Sequence, residues 1–146
     1  MKFQTQHTNA APNSRRGLVA AFAVAALLGA CTSSKVEVSI GPDGLPVAPA
    51  LLTPTSVVND LTLGACPGKA GEHTLTGSFK ATANKAQDYV LAVTWTDDKN
   101  AVKGRAVQIF ADVSPGSSES FELSAKVGEG ATRCIPALTA GTLPTH

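Results

Sequence analysis

The chain has 146 residues, a net charge of +1 and only 16% charged residues, with 13 glycines, nine prolines and three cysteines. No basic run or patch stands out, which argues against a nucleic-acid partner. Ala, Thr, Ser, Gly and Val outnumber long charged side chains, a mixture that suits short strands and turns better than helices.

Residues 1–16 are polar and carry Lys2, Arg15 and Arg16 without an acidic residue. The run Gly17 to Ala30 is apolar and small; as a helix its 14 residues would rise about 21 Å. A bilayer core needs about 20 residues, so the run fits a signal-peptide core better than a membrane span. A buried core helix is the other reading, and the basic flank at the extreme N-terminus favours export. The apolar run stops at Leu28-Gly29-Ala30-Cys31 and turns polar at once. This tetrapeptide resembles the bacterial lipobox. The resemblance implies a diacylglyceryl thioether on Cys31, cleavage just before it, and attachment to the membrane through that lipid. Small residues at Gly29 and Ala30 would let the extended backbone enter the peptidase. An ordinary signal peptide cut near Ala30 would leave a free thiol instead. Upstream, Ser14-Arg15-Arg16-Gly17-Leu18-Val19 resembles a twin-arginine export signal. Many Sec signals also carry two arginines, so both routes stay open.

With residues 1–30 removed, 116 residues remain, enough for one domain. Three of the 12 basic residues leave with that segment and none of the 11 acidic ones, so the mature net charge is about −2. Lipidation of Cys31 leaves Cys66 and Cys134, for which one pairing exists. An exported compartment permits a disulfide. A redox or metal pair is the alternative, but there is no CxxC, and His73 is the only histidine in the body of the domain.

After a polar tether, residues 36–40 (VEVSI) read as a strand and residues 41–44 (GPDG) as a turn. Three prolines interrupt residues 45–54, which read either as a linker or as an extended arm lying on the domain. The expected organisation is therefore a signal peptide over 1–30, a lipidated cysteine with a Pro-rich tether or arm over 31–54, and a domain over 55–146. Within that domain the period is two. Strands are expected over 56–66, 73–84, 89–96, 101–113, 118–127 and 133–138, with turns at 97–100 and 115–118 and a bulge near Gly104. Leu75, Gly77, Phe79, Ala81 and Ala83 share one face, as do Tyr89, Leu91, Val93 and Trp95, and again Phe121, Leu123, Ala125 and Val127. Six or seven such strands predict an all-β, immunoglobulin-like β-sandwich with one disulfide.

Residues 77–125 resemble the FxLYD-type and related immunoglobulin-like domains of bacterial envelope lipoproteins. Asn84, Asp88-Tyr89, Trp95-Thr96-Asp97, Pro115-Gly116 and Phe121 carry the likeness in matching order. Val93, Trp95 and Thr96 stand where that pattern has Phe, Leu and Tyr, and only Asp97 of the name motif matches. The resemblance implies an extracytoplasmic sandwich, usually without a known activity.

No GxSxG, HExxH or SxxK occurs, so no hydrolase constellation is legible. His73 reads as an exposed histidine at a turn. Asp97-Asp98-Lys99-Asn100 lacks the glycine and the distal glutamate of a calcium loop and reads as a hairpin turn, and neither a metal nor a cofactor is expected. Trp95 could stack on a sugar, but its neighbours Tyr89, Leu91 and Val93 place it in the core. The opposite face of the same strand, Val90, Ala92, Thr94 and Thr96, is small and mildly apolar where a solvated strand usually carries Lys or Glu. Either the Pro-rich arm covers it through Leu51 and Leu52, or an envelope protein partner or second copy packs there. The expected function is a non-enzymatic binding or structural role for a membrane-anchored envelope lipoprotein. The alternative is an accessory lipoprotein that delivers a ligand or ion to a membrane complex.

Overall fold

Strand alternation and turn chemistry together produce two antiparallel sheets packed face to face. The computed structural model describes residues 37–144. A small hairpin, β1 (Ser39–Ile40) and β2 (Pro46–Val47), precedes β3 (Leu52–Ser56), a 3₁₀ turn (Val58–Asp60) and β4 (Leu61–Leu63). Then come five long strands: β5 (Gly71–Lys80), β6 (Gln87–Thr96), β7 (Val102–Val113), β8 (Ser118–Val127) and β9 (Arg133–Thr142). One sheet has the order β3-β9-β6-β7 and the other β4-β5-β8. The fold is a β-sandwich with one disulfide, as the alternation predicts.

The inward rows fill the space between the sheets. Leu75 and Phe79 of β5 and Phe121, Leu123, Ala125 and Val127 of β8 meet Tyr89, Leu91, Val93 and Trp95 of β6 and Leu138 and Ala140 of β9. Phe79 lies 4.8 Å from Tyr89 and 5.0 Å from Phe110, centroid to centroid, within the usual range for aromatic pairs. Phe121 occupies this row because its cross-strand neighbour is Gly77. A Cβ on Gly77 would collide with the Phe121 ring and with the Thr62 carbonyl. The outer face of β5 and β8 is polar throughout, from Thr74 and Thr76 to Ser120 and Glu122.

The strand order is that of an immunoglobulin-type sandwich with one departure. The sheet β4-β5-β8 corresponds to A-B-E, and β7-β6-β9 corresponds to C′-C-F. The place beside F, normally taken by the last strand, is filled by β3 from the N-terminal side. The boundary expected near Thr55 therefore falls inside a strand of the sheet, and the Pro-rich stretch runs as an arm on the sandwich. Its pairing is irregular: Leu52 lies opposite Thr142, the register shifts, and Thr55 lies opposite Ala140. Thr53, at φ 47°, and Pro54 occupy the shift.

Two other expectations are corrected. Residues 56–66 do not form one strand. A 3₁₀ turn at Val58–Asp60, closed by Asp60 N–H donating to the Val57 carbonyl at 2.9 Å, lets the chain pass from one sheet to the other. Of the expected strand over 36–40, Val36 lies outside the described residues, and among 37–40 only Ser39 and Ile40 are in a strand. The bulge near Gly104 is present: Trp95 lies opposite Gly104 but Thr96 lies opposite Val102, which leaves Lys103 as the extra residue.

Cys66 and Cys134 are joined, with Cα atoms 6.0 Å apart across 68 residues of sequence. Loop-closure entropy for that separation corresponds to about 4 kcal/mol. Trp95 lies directly opposite Cys134 on the neighbouring strand and is fully buried. Its indole N–H donates to the Pro67 carbonyl at 3.1 Å, one residue past Cys66. Reduction of this bond is expected to lower unfolding stability by about 2–5 kcal/mol, measured by urea denaturation with and without reductant. Gly77→Val is expected to cost about 1–3 kcal/mol by the same measurement, because the added side chain overpacks the Phe121 row.

Candidate functional site

The outer face of the four-stranded sheet is the one surface of the sandwich that breaks the polar-out rule. The ladder register aligns its residues in rows running from β7 across β6 to β9: Ile109, Val90 and Thr139; then Val107, Ala92 and Ala137; then Arg105, Thr94 and Ile135. All but Arg105 are apolar or small. Of the four residues singled out on β6, Val90 and Thr96 are buried, and Ala92 and Thr94 are half-buried.

The N-terminal arm supplies the cover. Next to β7, the Arg105 guanidinium donates to the Pro46 carbonyl at 3.3 Å. From there residues 48–51 cross the sheet. Ala48, Pro49, Ala50, Leu51 and Pro54 face Val90, Ala92, Ala137 and Thr139 across a shallow groove of about 320 Å³. At the far edge β3 pairs with β9. Residues 46–56 thus form a strap from one edge of the sheet to the other. Leu51 is buried in it, whereas Leu52, 57% exposed, points away and contributes no cover. Gly141 makes the landing possible: a Cβ there would lie 2.7 Å from the Leu52 carbonyl oxygen and 2.9 Å from the Leu51 Cβ.

The strap stops short of the lower rows. Ile135 is 46% exposed, and Val102, next to Thr96, is 39% exposed. The β9 edge below β3 is blunted by chemistry. Leu138 accepts from the Val57 N–H at 2.9 Å, so the even-numbered residues of β9 turn their backbone polar groups away from β6. Pro136 falls on that side and presents no N–H to an incoming strand.

The remaining polar residues singled out by sequence are occupied in the structure. His73 is not at an exposed turn; it lies within β5, half-buried, because the inward parity of Leu75 and Phe79 extends back to it. Its ring stacks on Trp95 at 6.2 Å, and its Nε2 is 2.8 Å from the Lys69 carbonyl oxygen, which accepts a hydrogen bond from it. At the β6–β7 turn, Asp97 Oδ1 accepts from the N–H groups of Lys99 and Ala101, each at 2.9 Å, and Oδ2 lies 3.4 Å from the Lys103 ammonium. Asp98 accepts from the Thr132 hydroxyl at 2.8 Å, and Arg133 donates to the Asp97 carbonyl at 2.9 Å. These bonds tie the turn to the loop before β9. Among the described residues no group of three or more His, Cys, Asp or Glu side chains is placed to hold a metal ion. At the other end of β6, Gln87 lies opposite Val113 but Tyr89 lies opposite Phe110, a second register shift. Asp88 accepts from the N–H groups of Asp112 and Leu143, which pins the end of β9 to that shift in β7.

Cys31 and the segment 1–30 lie outside the described residues. No family model matches the chain, and neither the curated proteins nor the solved structures contain a match to it.

Ala92→Lys is expected to cost about 1–3 kcal/mol in denaturant unfolding, because it forces a charge beneath the strap. The Ala101 N–H, more than the Lys99 N–H and Lys103, holds the Asp97 carboxyl below its ordinary value. The folded form therefore favours the ionised group. Its contribution is full above the ordinary aspartate range and is lost as pH falls through the lowered folded value. Asp97→Asn is expected to lower the melting temperature at neutral pH and to flatten the acid limb of the stability curve, followed by thermal melts from pH 7 to 2.

Proposed function

We propose that this chain is an extracytoplasmic lipoprotein, held to a bacterial membrane through a lipid on Cys31, whose sandwich has a non-enzymatic binding or structural role at the cell envelope. The observation that carries this reading is the Cys66–Cys134 disulfide beneath Trp95. Such bonds persist in oxidising compartments. It stands in a chain whose first 30 residues read as an export signal ending at Leu28-Gly29-Ala30-Cys31. The absence of a charge run and the likeness of residues 77–125 to envelope lipoprotein domains support the same reading.

A binding role is supported by how the surface is apportioned. The grooves are shallow, and the one beneath the strap is lined almost wholly by apolar side chains, with Thr139 the single hydroxyl. Such a lining lacks the convergent polar groups that orient a small polar substrate. His73, Asp88, Asp97 and Asp98 are each engaged by donors or acceptors of the protein itself. The open part of the β6 face, Thr94 with Ile135 and Val102 near it, is the surface assigned to an envelope protein partner, and Thr96 lies buried at its lower end. Val90 and Ala92 shape it from beneath the strap.

Cys31→Ser is expected to shift the protein from the membrane fraction to the soluble fraction, or to trap its precursor, while the parent partitions into detergent. Two acyl chains anchor stably where one binds only marginally. A parent protein found wholly in the medium with a free Cys31 thiol would refute the assignment. Ile135→Asp is expected to leave the melting temperature within about 2 °C of the parent and to abolish crosslinking to the partner in membranes.

A further inference from the structure

We propose that the β1–β2 hairpin is a membrane-contact element: the anchored protein rests this hairpin, Ile40 foremost, in the interface of the bilayer that holds its own lipid. The inference depends on the attachment at Cys31 proposed above and adds to it the face on which the domain sits.

The first ground is reach. Glu37, where the described residues begin, is six residues past Cys31. A fully extended chain spans at most about 3.6 Å per residue, so six residues let Glu37 stand no more than about 22 Å from the residue that would carry the lipid. The hairpin is the first secondary structure beyond it. The strap then carries the chain away across the sheet, so the hairpin is the part of the domain held nearest the headgroups.

The second ground is exposure without a partner. Ile40 is 65% exposed, the most of any large apolar side chain among the described residues, and Val47 is 38% exposed. Ser39 pairs with Val47 and Ile40 with Pro46, so Ile40 and Val47 project from opposite faces of the ribbon. A protein partner that packs on one flat face would cover one of them. Ile40 lines an open groove shared with β7 and β8 while Val47 points to the other side, so an interfacial layer that enters this groove and wets the outer side covers both.

The third ground is that the projection is built. Gly44 N–H donates to the Gly41 carbonyl at 3.0 Å and Gly41 N–H to the Leu45 carbonyl at 2.8 Å. Asp43 accepts from Leu45 N–H at 3.1 Å, so its own turn engages the one acid at the tip. Gly44, at φ 74°, supplies the left-handed residue that closes the turn. At the base, Arg105 bonds Pro46 and has no carboxylate within ion-pair distance among the described residues. Its remaining N–H groups suit phosphate oxygens at headgroup depth.

The test uses the full-length lipidated protein in vesicles of phospholipid brominated on the acyl chain. Ile40→Trp and Thr62→Trp are compared with the parent, whose buried Trp95 is the common background. Thr62 lies on β4, at the edge of its sheet opposite β8, whereas β8 shares a groove with the hairpin. Both positions are exposed, so neither substitution disturbs the core. The emission added at position 40 is expected to be blue-shifted and quenched at least about twofold, and that at position 62 to be unaffected. Vesicle-bound protein with unquenched emission at position 40 would overturn the contact and leave the anchor standing. Protein that fails to enter the vesicle fraction would overturn the anchor and the contact together.

Discussion

The structure depends on one strand being covered on both faces. β6 sends Tyr89, Leu91, Val93 and Trp95 into the sandwich and presents Val90 and Ala92 on its other face to a strap of its own chain. Its inner row makes the core and, through Trp95, seats the disulfide. Its outer row explains a composition that would be odd on a solvated strand. A long side chain at Ala92 would hold the strap away, whereas methyl-sized groups let it come down onto the sheet. Strands buried on both faces read as near-continuous apolar runs, and residues 89–93 do so.

The strap in turn settles the topology. In an immunoglobulin-type sandwich the final strand closes the edge beside F. Here β9 is that F-equivalent, and no later strand follows it among the described residues. The edge is closed instead by β3, and below β3 the missing N–H of Pro136 discourages a foreign strand. Bringing the strand from the N-terminal side has a mechanical consequence. The segment leading from Cys31 enters the fold at β1 and β2, crosses the sheet and is locked at the opposite edge. Under the attachment proposed for Cys31, tension on this segment would act on the sandwich through the Arg105–Pro46 contact and the strap before it reached the long strands.

The five long strands were legible because each carries a clean period of two with a turn signal at its ends. Phe121, Leu123, Ala125 and Val127 of β8 alternate with exposed polar residues along the whole second half of the strand. The disulfide was legible by elimination, once Cys31 was set apart. What escaped has physical reasons. β1 and β2 are two residues each, too short to show any period, and β3 contains Pro54 and a register shift. The 3₁₀ turn at Val58–Asp60 is hidden because Val57, Val58, Leu61 and Leu63 resemble a strand when read without their hydrogen bonds. His73 reads as a turn residue because the strand expected over 73–84 starts at it, yet β5 begins two residues earlier, at Gly71. The unusual outer face of β6 was visible in sequence, and so was its possible cover by the arm. Leu51 fills that role and Leu52 does not, because successive side chains of an extended segment point to opposite sides.

The segment from Pro46 to Ser56 is an integral layer of the domain rather than a tether lying loosely beside it. Amide hydrogen exchange followed by mass spectrometry on the full-length protein tests this most directly. Peptides spanning 48–57 include the Val57 amide, which donates to Leu138, and they can be compared with peptides spanning 87–96 in the centre of the same sheet. Val57 and its neighbours in β3 are expected to exchange on the slow timescale of β6 and to lose protection only when the whole sandwich opens. Complete exchange of 48–57 within seconds, with 87–96 still protected, would contradict it.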